Sequence, residues 1–94
     1  MNNFETKKTG VKKESIPLPL DAPKIGEIYR HFKSEDKYQV VDLVLDASTD
    51  TWSVIYEPLY DNEIKRFVRP IADWQSKKMH EGTEVERFTL VEKE

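Results

Sequence analysis

Ninety-four residues without a cysteine make one small domain at most, and its apolar core must hold it alone: no disulfide can brace it, and no thiolate can bind a metal or attack a substrate. The net charge of −3 is unevenly spread. Residues 1–24 hold five lysines against three carboxylates, whereas the rest hold ten basic and fifteen acidic side chains, so the body repels nucleic-acid phosphate and duplex binding through a broad basic surface is disfavoured.

Residues 1–15 are polar and show no periodicity, and they cannot bury enough apolar surface to offset the entropy of ordering. They lack the apolar stretch of a secretory signal, and nothing in the chain approaches the ~20 apolar residues of a membrane helix. A cytoplasmic protein without membrane contact is expected. Lys7, Lys8, Lys12 and Lys13 read as a solvated tail, with weak contact to an anionic partner as the alternative. From Ser15 to Pro23 lie three of the five prolines, which favour extended backbone. This piece reads as a linker, or as an arm that lays Ile16, Leu18 and Leu20 on the domain. The expected division is a flexible tail over 1–22 and a β domain over 23–94.

The texture changes at Ile25. Ile28, Arg30 and Phe32 alternate with Tyr29, His31 and Lys33, which predicts a strand ended by the turn Ser34–Lys37. Tyr38 to Leu45 predicts a second strand, rich in valine and leucine. In the turn that follows, Asp46 and Ser48 are suited to side-chain-to-backbone bonds. Thr51 to Glu57 alternates Trp52, Val54 and Tyr56 against Ser53, Ile55 and Glu57, a third strand closed by Pro58. Ile64 to Arg69 reads as a fourth. Pro70 is pre-set for a helical first turn, and Ile71 to Met79 predicts a short helix ended at His80-Glu81-Gly82, with Ile71, Trp74 and Met79 candidates for its inner face. Val85 to Val91 supplies the last strand, with Phe88 and Leu90 towards the core. Five strands with tight turns and one helix before the last strand suggest a small, mainly β barrel or a strongly curved sheet.

Gly26, Tyr29-Arg30-His31-Phe32-Lys33, Tyr38-Gln39-Val40, Val54-Ile55-Tyr56, Leu59-Tyr60, Val68-Arg69-Pro70 and Arg87-Phe88 occur in an order that resembles the bacterial and phage family called domain of unknown function 1653. The resemblance covers about Ile25 to Val91. It implies a five-stranded Src-homology-3-like barrel and brings no established activity. Three departures stand out. Ser34 replaces a common glycine, the turn Asp46–Thr51 lacks the histidine relatives often carry, and Ala72-Asp73-Trp74 stands where a Met-Phe pair is common, with Trp74 expected to take the phenylalanine's packing role.

No catalytic signature is visible. His31 and His80 are the only histidines and have no metal-ligand spacing, no nucleophile elbow is present, and the three glycines are isolated and form no phosphate loop. A non-enzymatic module without cofactor is expected. The best functional candidate is the Tyr29–Lys33 strand. A basic and aromatic strand suits an anionic or planar ligand, because arginine offers a fork to carboxylate or phosphate and tyrosine a stacking face. The simpler account makes Phe32 core, His31 a satisfied structural histidine and Arg30 half of a salt bridge. Arg69 sits at a strand end, placed either for a ligand or for a structural ion pair, and Arg66 lies on the opposite face. Tyr56 and Tyr60 flank Pro58 in a cluster like those that dock extended peptides, and the chain's own Ile16–Leu20 is one occupant for it. The expectation is therefore a module that binds a protein, peptide or small anion through Tyr29, Arg30, His31, Lys33, Tyr60 and Arg69. A module for nucleotides or single-stranded nucleic acid is the alternative. A third reading, catalysis with His31 as general base, requires that residue to be accessible in a pocket. The sequence carries no signature of oligomeric state.

Overall fold

A computed structural model describes residues 16–92. The tail lysines Lys7, Lys8, Lys12 and Lys13 lie outside the described residues. The chain is mainly β, with seven strands and one helix among the described residues: β1 (Ile28–His31), β2 (Lys37–Asp46), β3 (Thr51–Pro58), β4 (Phe67–Pro70), α1 (Ile71–Trp74), β5 (Lys77–His80), β6 (Thr83–Glu86) and β7 (Phe88–Glu92). Five of them form one antiparallel sheet in the order β4-β3-β2-β1-β7, while β5 and β6 form a separate hairpin. No ladder joins β4 to β7, so the sheet is curved but not a closed barrel.

The long β2–β3 pair is the spine. Its turn uses the predicted chemistry: Asp46 Oδ1 accepts from the Ser48 amide at 3.0 Å and from its hydroxyl at 2.7 Å, and Asp50 takes a left-handed φ of 57°. A bulge between Val40 and Asp42 resets the register, so that Val40 faces Tyr56 and Leu43 faces Val54 on the inner side. Cross-strand partners share a face, so Phe67 joins Tyr56, and Arg69 joins Val54, on that side. The core that results is Ala22, Val40, Val54, Tyr56, Ile71, Trp74 and Phe88, flanked by Tyr29, Tyr38, Leu43, Trp52 and Phe67. It is an aromatic core. Trp74 and Phe88 stack with centroids 3.8 Å apart and planes 8° from parallel, while Tyr29 and Tyr56 meet Trp74 edge-on at 5.2 and 4.9 Å. Trp74 is therefore a central member of the core.

Several element boundaries differ from expectation. The helix ends at Trp74 instead of running to Met79, because tertiary bonds claim its C-terminal turn. Arg87 donates from its amide to the Ser76 carbonyl at 3.0 Å, and from Nε to the Asp73 carbonyl and to Ser76 Oγ at 3.1 Å each. Residues 77–80 then pair with 83–86 as a hairpin, and Met79 is exposed. Gly82 is not a helix stop. Glu81 and Gly82, with φ of 53° and 81°, form a two-residue turn of the type I′ kind that matches strand twist. The expected last strand is split at Arg87 into β6 and β7, the first stops at His31, and the fourth begins only at Phe67.

The segment before the domain lies against it. The Trp52 indole donates to the Ile16 carbonyl at 3.3 Å, Gln75 Nε2 donates to the Asp21 carbonyl at 2.8 Å, and Ala22 is buried. Ile16–Leu20 therefore sits at the Trp52 and Leu43 end of the inner face, away from Tyr60. Leu20 is fully exposed, so the contact runs through backbone groups and Ala22 more than through the leucines.

Candidate functional site

Of the six residues singled out in the sequence, three line one concavity. His31, Lys33 and Arg69 surround a cavity of about 450 Å³ whose other walls are Ser34, Tyr38, Tyr56, Phe67 and Phe88. β1 delivers His31 opposite Phe88 of β7, and β4 delivers Arg69 beside Val54 of β3, so the cavity opens between the two edges of the sheet. Tyr60 stands behind this wall, its hydroxyl 3.0 Å from that of Tyr38 and its ring edge-on to Tyr38 at 5.6 Å. Tyr29 shares the inner face with His31 but lines a neighbouring cavity. Arg30 faces the other way, in register with Lys37 and Thr89. Phe32 is half-buried against the rings of His31 and His80 and is not part of the main core.

Arg69 is the fixed cation of the cavity. Its Nε donates to the Tyr56 hydroxyl at 3.2 Å, its Nη1 to Asp73 Oδ2 at 2.5 Å, and its guanidinium lies 5.6 Å from the centre of the Phe88 ring. Nη2 has no hydrogen-bond partner among the described residues. Asp73 also meets Arg87 Nη2 at 3.5 Å, so one carboxylate serves two guanidinium groups and leaves the trio net positive. The Arg69 hydrogen bond is the main reason Asp73 is held below the ordinary aspartate range, with Arg87 adding to it.

His31 records this field. Burial, then the charges of Arg69 and Arg87, push its imidazole below the usual histidine value, so it is neutral at pH 7. The Lys33 amide donates to Nδ1 at 3.2 Å, which places the proton of the neutral ring on Nε2 and makes that nitrogen a donor. The turn holds the ring in place, since the His31 amide donates to the Asp36 carbonyl and its carbonyl accepts from Glu35 at 2.9 Å. The Tyr38 phenol is pushed up by burial and by its bond to Tyr60, so it remains a protonated donor. Chemically, the cavity combines flat apolar walls with a half-committed guanidinium, a rim ammonium and a neutral imidazole donor.

Of the aromatic walls, the sequence marks Tyr56 as core or as part of a peptide-docking cluster and Phe88 as core, and it does not join either to His31 and Arg69. The signal that finds them is cross-strand parity: once β1, β3, β4 and β7 are in register, Tyr56, Phe67 and Phe88 fall on the face that carries His31 and Arg69. Arg87 is marked in the sequence only through the Arg87-Phe88 pair of the family pattern, and its role depends on the early end of the helix. Among the described residues, no three His, Asp or Glu side chains gather to hold a metal ion, and no helix is long and apolar enough to cross a membrane.

A small mainly β domain with an aromatic, cation-edged cavity between its sheet edges is thus the class of protein defined by fold and site. The chain belongs to the family described as protein of unknown function (DUF1653), whose pattern it matches over residues 27–90. It is similar in structure to a member of that family from Bordetella bronchiseptica, known from a crystal structure, with 26% sequence identity and a TM-score of 0.67 over 78% of this chain and 92% of that one. No curated protein matches the chain.

Proposed function

We propose that this protein is a non-catalytic binding module, and that the cavity between His31 and Arg69 takes a small anion with a flat apolar body, free or presented by a peptide. One observation carries the reading: Arg69 is hydrogen-bonded to Tyr56 and Asp73 beside the Phe88 ring, yet its Nη2 has no hydrogen-bond partner among the described residues, within an aromatic-walled cavity. A pre-positioned guanidinium loses little entropy on binding, and apolar walls strengthen its pairing with an anion. His31 Nε2 and the Lys33 ammonium extend the donor set. Cavities of this size commonly take small ligands through a few placed polar groups. A neutral His31 with no carboxylate hydrogen-bonded to its ring among the described residues supports binding over general-base catalysis.

The test is a chemical-shift titration of the full chain with sodium benzoate, inorganic phosphate and adenosine monophosphate. Benzoate is expected to shift the His31, Lys33, Tyr38 and Arg69 resonances, with a Kd on the order of 1 mM or lower, about −4 kcal/mol. Arg69→Gln should abolish the response, and the exposed Lys33→Gln should weaken it without affecting folding. Absence of shifts with all three probes at several times that concentration overturns the proposal. Much tighter and salt-sensitive binding of the nucleotide would favour the nucleotide-binding reading instead.

A further inference from the structure

A second cavity that also includes Phe88 in its wall, of about 380 Å³, has the opposite electrical character. Its aromatic surface comes from Tyr29, Trp74 and Phe88, and its charged groups are Asp21, from the segment before the domain, and Glu86, from β6. The two carboxylates arrive from separate elements. Asp21 is held in position by the bond from Gln75 Nε2 to its carbonyl at 2.8 Å, and by the turn in which the Ala22 amide donates to Pro19. Glu86 is set by the β5–β6 hairpin, opposite Lys77. Neither carboxylate has a hydrogen-bond or ion-pair partner among the described residues. A third carboxylate lies behind the wall: buried Glu27 accepts from the Tyr29 hydroxyl at 2.7 Å and from the Lys24 amide at 2.9 Å. The acceptor at its hydroxyl makes the Tyr29 ring richer in electrons and so a better face for a cation.

We propose that this second cavity binds an organic cation, an alkylammonium or guanidinium group, against Tyr29 and between Asp21 and Glu86. An aromatic surface beside two carboxylates that have no partner among the described residues complements a cation in the same way that the aromatic surface beside Arg69 complements an anion. An anion is disfavoured by both carboxylates, and a neutral apolar ligand would leave them desolvated and unpaired. Lys77 is the rival charge, opposite Glu86 in the hairpin but not within ion-pair distance of it. The site is independent of the anion cavity, since the only wall residue they share is Phe88.

The full chain is titrated with tetramethylammonium chloride and with arginine hydrochloride, against sodium chloride at equal ionic strength, while the Trp74 indole and the Tyr29 and Glu86 amides are followed. Both cations are expected to shift these resonances with a Kd on the order of 1–10 mM, a range suited to one small charged group. Glu86→Gln and Asp21→Asn, both at exposed positions, should each weaken binding roughly fivefold, and Lys77→Gln should strengthen it about twofold. The gain in the last variant cannot come from loss of folding. Shifts that sodium chloride reproduces, or affinity left unchanged by the Asp21→Asn, Glu86→Gln double variant, overturn the proposal. Benzoate titrates the other cavity, so either proposal can fail without the other.

Discussion

Two cavities share the Phe88 ring, and they differ in where their charge comes from. Tyr29 and His31 stand two residues apart on the same face of β1, about 7 Å along the strand, and that step carries the surface from one cavity into the other. On the His31 side, charge is fixed by an internal network, in which Arg69 and Arg87 converge on Asp73 and Arg69 is bonded to Tyr56. On the Tyr29 side, charge is supplied by exposed carboxylates on a hairpin and on the segment before the domain. The aromatic core thus supplies a common surface, and peripheral elements give its two halves opposite sign. The cation of the proposed anion site is thus also a structural residue, whereas the carboxylates of the proposed cation site are not.

The largest test of this arrangement is the shared ring. Phe88 is buried and stacked on Trp74, so Phe88→Ala should lower stability by about 3–5 kcal/mol, measured by urea denaturation. Phe88→Leu keeps most of the volume and should cost about 1.5 kcal/mol or less. That milder variant should fold and weaken both cavities together. A loss of affinity confined to one cavity would break the claim that they share a wall.

The mainly β class and β1 to β4 of the five-stranded sheet were legible because residue alternation, proline positions and turn chemistry agreed along Ile25–Arg69. The hairpin was not. Lys77–Met79 and Glu84–Glu86 are polar or lone apolar residues without a strong period, and Ile71 and Trp74 alone carry a helical spacing that favours continuation. What stops the helix is Arg87, more than ten residues away, and its bonds to Asp73 and Ser76 have no local signature. The site was half legible for the same reason. Alternation placed Tyr29, His31 and Lys33 on one face, and residue type singled out Arg69. Which of them meet depends on the β1–β7 and β3–β4 registers, which only the folded chain sets. Arg30, equally basic, is turned outward by the same alternation.

A smaller effect separates rigidity from charge. Tyr56→Phe removes the hydroxyl that accepts from Arg69 Nε at 3.2 Å while leaving the ring in the core. It should cost about 1 kcal/mol, which in a domain of this size is a fall in Tm of roughly 4–8 °C. Benzoate affinity should drop with it, since Arg69 loses one of its two anchors, and tetramethylammonium affinity should not change. Equal loss of both affinities would show that Tyr56 acts by packing alone.

Asp73 tests the same network through pH. Its folded pKa is depressed, chiefly by the bond from Arg69, so its contribution to stability is complete above the ordinary aspartate value of 3.8 and is lost as pH falls through the lower folded value. The side chain is 43% exposed, so solvent screening keeps that contribution small. Asp73→Asn should flatten the acid limb of the stability profile, measured by thermal melts from pH 5 downwards. An unchanged acid limb would place the acid-sensitive group elsewhere.

The finest discrimination comes from His31, whose depressed pKa registers the positive field of one cavity only. The imidazole prefers its neutral form in the folded chain because of burial first and of Arg69 and Arg87 next. The unfolded chain therefore takes up its proton earlier, and stability falls as pH drops from the ordinary value of 6.5 through the lower folded value, then levels off. An NMR titration of the ring should give a midpoint below 6.5. An anion held beside Arg69 offsets part of that field, so saturating benzoate should raise the midpoint. Tetramethylammonium, in the other cavity, should leave it nearly unchanged, because the charge would sit beside carboxylates that neutralise it. If both ions moved the midpoint equally, the two cavities would be one electrostatic site; if neither did, benzoate would not be bound beside Arg69. A rise with the anion alone would fix each ion to its own cavity.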